Sequence, residues 1–415
     1  MTDAETALYG GTLDERISTL RRLCAQSPWQ KRRGTNLHIH TSESFSAFRS
    51  PAEAVWQAVR EAVAVLGIND HNTVAGHHEF RLACEAAHLP AAFSIEAIAM
   101  NAEARNDGVF TNDTGNPGRT YLCGKGVTRI PPDGSNAMKS LARMRAALDR
   151  RHRAMTGSLR LLIDERMGRP GPDWDDVVGL TPRGNVTERH IAKAACLWLQ
   201  RFAEGRDIPL AEAVARCCGT PPETDGTAAV QNHIRSALLK AGGPCFVEES
   251  PDAFLSMPDM RDLFLEFGAI PTYPVLGDPE TEYEADIDGL MDRLEAMRIV
   301  ALEVIPHRNS RRRLSQIIEA ATARRWPVFN GTEHNTPEPM PLLDTHSLDP
   351  EFRPWFEASA ALLLGHQCLV ERGEPGFVGS DGVPAIRDAE RRFEHVADAG
   401  RTLWETIERT AEEMR

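Results

Sequence analysis

The stretch VAVLGINDHNTVAGHHEFRLACEAAHLPAAFSIEAIAM, residues 63–100, holds an apolar run, a polar turn, a helical pattern and a second apolar run. Val63–Ile68 reads as a buried strand, Gly76–Ala87 as a helix and Ala92–Met100 as the next strand. Strand, helix and strand at this spacing belong to a parallel sheet with helices packed on it.

The alternation continues on both sides. Upstream, Thr35–His40 reads as a strand, and Ser50-Pro51-Ala52-Glu53 as a capping box with proline at the first helical position, opening a helix towards Ala62. Downstream, Ile270–Leu276, Ile299–Ile305 and Pro327–Gly331 read as strands, with helices over Ile287–Met297 and Ser310–Arg325. Between the two halves, residues 101–135 are loop-like apart from a short strand at Thr120–Gly124. Residues 136–242 are mostly helical, and Thr187 is the expected N-cap of the helix carrying His190. Residues 1–34 read as helical, with Lys31-Arg32-Arg33 as a solvated helix end, and residues 341–415 as loop and helix.

The chain has 415 residues, with 60 acidic against 47 basic side chains and a formal charge of −13. That balance argues against a protein that coats nucleic acid or an anionic membrane. It does not exclude an anionic substrate, because a bound cation reverses the local sign. No segment has the apolar length of a membrane span, and no secretory signal is visible, so the expected compartment is the cytoplasm. Eight cysteines without a Cys-x-x-Cys pair read as reduced thiols.

Polar residues of ligand type recur where apolar strands end. His38 and His40 lie two apart on the first strand, which puts both imidazoles on one face. Asp70-His71 closes the second strand, Glu96 lies within the third, and Asp278, His307 and Glu333-His334-Asn335 close the later ones. In a parallel barrel the C-terminal strand ends share one face, so these residues are expected to meet there. A lone His-x-His is commonly structural and Asp-His in a turn is common turn chemistry; repetition at six strand ends is what points to a metal centre. Histidine and carboxylate without thiolate match Zn²⁺, Mn²⁺ or iron, and a bridging Glu96 or Asp278 favours two or three ions. Asp70 is the candidate proton acceptor or orienting group. His307 is a candidate ligand or acid. Lys125, Arg189 and Arg308 adjoin these motifs and are candidates for binding an anionic substrate, although each reads more readily as a solvated charge. His77 and His78 read as structural, and His346, His366 and His395 as surface or core residues.

Asn36-Leu-His-Ile-His-Thr-Ser42 and Ile68-Asn-Asp-His-Asn-Thr-Val-Ala-Gly76 resemble the first two motifs of the PHP (polymerase and histidinol phosphatase) superfamily, and Ser94-Ile-Glu-Ala97 the third. Asn185–Ala194, Pro274-Val-Leu-Gly-Asp-Pro279 and Gly331-Thr-Glu-His-Asn335 are similar to later motifs of its nucleotide phosphoesterase branch. The resemblance implies a distorted (β/α)₇ barrel over 35–135 and 265–340, a helical insertion at 136–264 and helical extensions at 1–34 and 341–415. It also implies up to three metal ions and hydrolysis of a small phosphorylated metabolite or nucleotide; the acidic balance adds the expectation of no stable nucleic-acid partner. His38, His40, His71, Glu96 and His190 match ligand positions directly. Asp278 stands where the family has histidine, Glu333 where it has aspartate, and Asn335 at the last histidine unless His334 takes that role. Tyr121 replaces another histidine, and Ser44-Phe-Ser-Ala47 replaces an acidic loop, which leaves Glu43 to compensate or the acid lost. These departures keep open a carbohydrate hydrolase or isomerase, or a non-catalytic metal-binding module.

Overall fold

The structure is a computed structural model describing residues 3–28 and 30–413; residues 1, 2, 29, 414 and 415 of the expected terminal extensions lie outside the described residues. Seven strands form the path of a nearly closed barrel: β1 (Arg33–Ile39), β2 (Val63–His71), β3 (Ala91–Met100), β4 (Arg119–Lys125), β6 (Ile270–Val275), β7 (Leu302–Val304) and β8 (Val328–Asn330). The two-residue strand β5 (Leu255–Ser256) pairs with β3 off this path. It was not expected, being too short to carry a pattern, and it ties the end of the 136–264 segment to the sheet.

The barrel is not wholly parallel. β4 runs antiparallel to both β3 and β6, whereas the other pairs along the path are parallel. The expectation that every strand presents its C-terminal end to one rim therefore fails at β4. Closure comes from a parallel bridge between Ile39 and Glu333, with the amides of Thr332 and Glu333 donating to His38 O. Gly331 permits that approach: a Cβ there would lie 2.2 Å from the Cβ of His38.

Local chemistry explains the helices beside the first strands. The Ser50 side chain accepts the Glu53 amide and Pro51 opens the helix Pro51–Arg60, but Glu53 turns back onto Arg49, so only half of the capping box forms. Strand β2 runs three residues further than its apolar run, because Asn69, Asp70 and His71 pair with Ser94, Ile95 and Glu96. The basic run 31–33 is not a helix end. Arg33 begins β1, and the Arg32 guanidinium donates to Ala87 O and His88 O at the end of the helix His77–Ala87.

Between β4 and β5 lies a helical layer with its own core, in which Met155, Leu159 and Ile163 of the helix Asn136–Met167 pack on Ile191, Ala195 and Leu199 of the helix Glu188–Glu204. The C-terminal helices Arg353–Glu371 and Ala389–Glu413 bury Leu362, Leu363 and Val396 with Leu37, Val65, Ala92 and Ile270 of the barrel. Side chains from this pair also satisfy strand starts: Val328 N donates to Ser359 Oγ at 3.0 Å and Phe93 N to Gln367 Oε1 at 2.9 Å. The two helices touch backbone to backbone, since a methyl group at Gly400 would sit 1.7 Å from Ala361 O. Gly400→Ala is therefore expected to lower stability by about 1–3 kcal/mol through overpacking, against a helix-propensity gain of about 1 kcal/mol. A thermal midpoint at or above that of the parent would contradict this packing.

Candidate metal centre

His38 on β1, His40 just beyond it, His71 at the end of β2 and Glu96 on β3 converge inside the barrel. His71 Nδ1 lies 2.8 Å and His40 Nε2 3.4 Å from Glu96 Oε2, and the Nε2 atoms of His38 and His40 are 3.1 Å apart. His38, His40 and Glu96 are almost fully buried.

Hydrogen bonds behind the rings decide which nitrogens face the centre. Asp70 Oδ1 accepts Ser44 Oγ–H at 2.6 Å, so the Ser44 oxygen is left to accept Nδ1–H of His40 at 3.1 Å. The Nε2 lone pair of His40 then points at Glu96 and His38. Glu303, on β7, does the same for His38: its Oε1 lies 3.0 Å from His38 Nδ1, which directs the His38 Nε2 lone pair inward. Burial first, then neighbouring His71, pushes the His40 pKa down to about 4, so its ring is neutral at pH 7. Burial works against the charge of Glu96, but His71, His40 and His38 together hold its carboxyl well below the usual range. Burial likewise opposes a charge on His71, and Glu96 outweighs it and raises that pKa.

Lone pairs of two imidazoles and a carboxylate, aimed at one another and backed by carboxylates, form a donor set that fits a divalent cation. His40, His71 and Glu96 can close on one ion, and His38, Glu96 and Cys123 on another, with each set of ligand atoms within 4.8 Å.

A cavity of about 330 Å³ opens over the cluster, lined by His71, Glu96, Arg189, Asp278, Arg308 and Glu333 together with Tyr121 and Asn335. Arg308 is paired with Glu333 at 2.6 Å, and Asn335 donates to the same carboxylate at 3.1 Å. Arg189 has no carboxylate partner among the described residues. Burial first, then Arg235, lowers its pKa to about 10, and it remains a cation at neutral pH. Glu333 and His334 have φ of 64° and 57°, a left-handed pair that turns successive side chains in different directions at the β8 rim. A crevice of about 530 Å³ shares His71 and Tyr121 with this cavity and continues between barrel and helical layer. The larger cavity of about 570 Å³, beside Cys84 and Leu403, lies away from the ligand set.

Other expected site residues are placed differently. Lys125 does not face substrate: the reversed direction of β4 carries it inside the barrel, fully buried, with Nζ on Glu303 Oε1 at 2.5 Å and Leu37 O at 3.0 Å. His190 Nδ1 accepts the Thr187 amide at 3.0 Å, so the ring proton sits on Nε2 and no lone pair is left for a metal. His334 donates Nε2–H to Met340 O at 2.8 Å, contacts Thr332 Oγ1 through Nδ1 at 2.7 Å and stacks on Phe48. Both its nitrogens are occupied, which corrects the expectation that it is a ligand and leaves Glu333 and Asn335 at the cavity. His307 is exposed and lines an adjoining cavity with Asp278 and Arg308. Partial burial of its ring, then Arg308, lowers its pKa, which favours the neutral form. Asp70 is 1% exposed and accepts Thr41 N, Thr41 Oγ1 and Ser44 Oγ, which makes it an orienting group rather than one that touches substrate.

Two residues at the centre escaped the sequence reading. Glu303 carried a signal, a lone charge in the apolar run Ala301–Ile305. Cys123 carried none that distinguishes it from a core cysteine.

No protein-family profile and no curated protein matches the chain. Solved structures do share the fold. One from Bifidobacterium adolescentis, bearing the name of a metal-dependent phosphoesterase, is 21% identical with a TM-score of 0.52, over 80% of this chain and 98% of the other. Another, an amidohydrolase from Chromobacterium violaceum with bound sulfate and no metal, is 17% identical with a TM-score of 0.51, over 79% of this chain and 97% of the other.

Proposed function

We propose that the protein is a divalent-metal-dependent hydrolase of the PHP superfamily, acting on a small phosphorylated metabolite or nucleotide in the cytoplasm. The observation that carries this reading is the half-buried Arg189, with no carboxylate partner among the described residues, in the same cavity as His71 and Glu96. A cation without a counterion beside a centre built for cations selects an anion that touches both. The names of the two structural neighbours, one a phosphoesterase and one holding sulfate, support an anionic substrate without defining it. No helix among the described residues is long and apolar enough to cross a membrane, and all eight cysteines are free thiols.

Two bound Zn²⁺, Mn²⁺ or Fe²⁺ ions supply Lewis acidity and a water that is more acidic than in bulk. The protein's part is to hold His38, His40, His71 and Glu96 as ligands, with Asp70, Ser44 and Glu303 fixing the imidazole tautomers. Arg189 binds the non-bridging oxygens of the substrate; Arg308, already neutralised in part by Glu333, lines the same cavity. Asp278, exposed at the rim, and Asn335 complete the polar lining.

The test is metal content per chain together with turnover of a phosphoester panel in Mn²⁺ and in Zn²⁺. Hydrolysis of phosphoesters supports the reading. Conversion of sugars or amides with no phosphoester cleaved would replace it. Within the panel, Arg189→Ala is expected to lose about 2–3 kcal/mol of binding to the phosphoryl group, roughly a 30–150-fold rise in KM. An unchanged KM would remove Arg189 from substrate binding.

A further inference from the structure

We propose that Cys123 is a metal ligand, forming with His38 and Glu96 a thiolate-containing site that shares Glu96 with the His40, His71 and Glu96 site. The inference rests on the metal-hydrolase reading and specifies its second ion.

Antiparallel pairing of β4 with β3 sets Cys123 directly across from Glu96. Tyr121, two residues earlier on the same face of β4, takes the position where the resembled family has histidine, and it lines the substrate cavity. The donor is thus moved one step down the strand, from the cavity wall to the barrel interior. All three side chains are buried, and their ligand atoms lie within 4.8 Å of one another. Ligands of a tetrahedral zinc lie about 3.3–3.8 Å apart, given bonds of about 2.0–2.3 Å, so only a small inward movement separates this arrangement from a closed site.

Two further observations point to a cation here. The Asn69 side chain, fully buried, sits against the same groups, its Nδ2 3.3 Å from Cys123 Sγ and 3.0 Å from His38 Nε2, while its Oδ1 has no partner; a half-turn of the amide exchanges the two atoms, frees both lone pairs and sets the orphaned oxygen beside the ligands. The cluster also holds carboxylate charge for an ion. Glu303 is paired with Lys125, whereas Glu96 meets the imidazoles of His38, His40 and His71 and the Cys123 thiol. A divalent ion bound there displaces the Cys123 S–H proton to solvent. A thiolate favours zinc over manganese or magnesium at this position.

The experiment titrates the full-length, metal-stripped protein with Co²⁺ under anaerobic conditions, reading stoichiometry and the thiolate-to-cobalt charge-transfer absorption. The parent is expected to bind two ions and show the band. Cys123→Ser is expected to lose the band and to bind its weaker ion at least about 100-fold less tightly, with the other ion retained. His71→Ala, which alters only the other site, is expected to keep the band, so loss of signal through misfolding is separated from loss of the ligand. Two ions bound without the band, or a band that survives Cys123→Ser, overturns the Cys123 proposal and leaves the metal-hydrolase reading standing. No bound ion in the parent overturns both.

Discussion

Glu96→Gln is expected to abolish binding of at least one ion and to reduce turnover by about 10³-fold or more. Removal of a single preorganised charge at a reacting centre costs about 10²–10³ in kcat, and Glu96 stands between both ligand groups rather than beside one. The amide keeps the shape of the side chain but offers no negative charge to an ion. It also removes the carboxylate charge beside His71, so the charge on His71 is no longer favoured. Fold is not expected to change, because Glu96 is enclosed by imidazoles and not by the apolar core. Metals per chain and kcat on the best phosphoester are the measurements. A Glu96→Gln protein with two ions and parental kcat would show that the centre lies elsewhere.

What could be read from sequence follows from how local each signal is. His38, His40, His71 and Glu96 each sit at or near the end of an apolar strand, and the structure brings the four together. Lys125 and Cys123 share one strand and were misjudged for one reason: the direction of β4 is a property of its neighbours, not of its residues. Reversed, it sends Lys125 into the interior and sets Cys123 opposite Glu96. His334 was misplaced because two successive left-handed residues at 333 and 334 break the alternation that a strand end would impose. Glu303 lay in an apolar run already recognised as a strand, and a single charge there signals a buried partner; His38 and Lys125, 265 and 178 residues away along the chain, are not visible from it.

The same burial that hides these partners sets the acid limit of the metal-free protein, which is expected to unfold steeply between about pH 6.5 and pH 4.5. His77, His152, His334 and His366 have pKa values lowered from 6.5 to about 4, and His190 to about 3, in each case chiefly by burial. For a lowered base the unfolded chain takes up protons first. Stability from these groups is therefore full above 6.5 and is lost as pH falls towards the folded values. Hydrogen bonding adds to the effect at two of them: Phe377 N–H points at His366 Nδ1 and Thr187 N–H at His190 Nδ1, so a proton added to either nitrogen meets a donor. Each histidine contributes up to about 1.4 kcal/mol per pH unit. Glu43 and Glu284, raised to about 7 chiefly by burial, take up protons first in the folded chain and offset about two of the five; the remainder can cancel a stability near the lower end of about 5–15 kcal/mol within roughly two units. Denaturant midpoints of the metal-stripped protein at several pH values measure the slope. His366→Asn, whose Oδ1 takes the place of Nδ1 and can still accept from Phe377, is expected to flatten it by about one proton. A midpoint that does not move between pH 7 and pH 5 would mean that these rings are protonated, or solvated, in the folded chain.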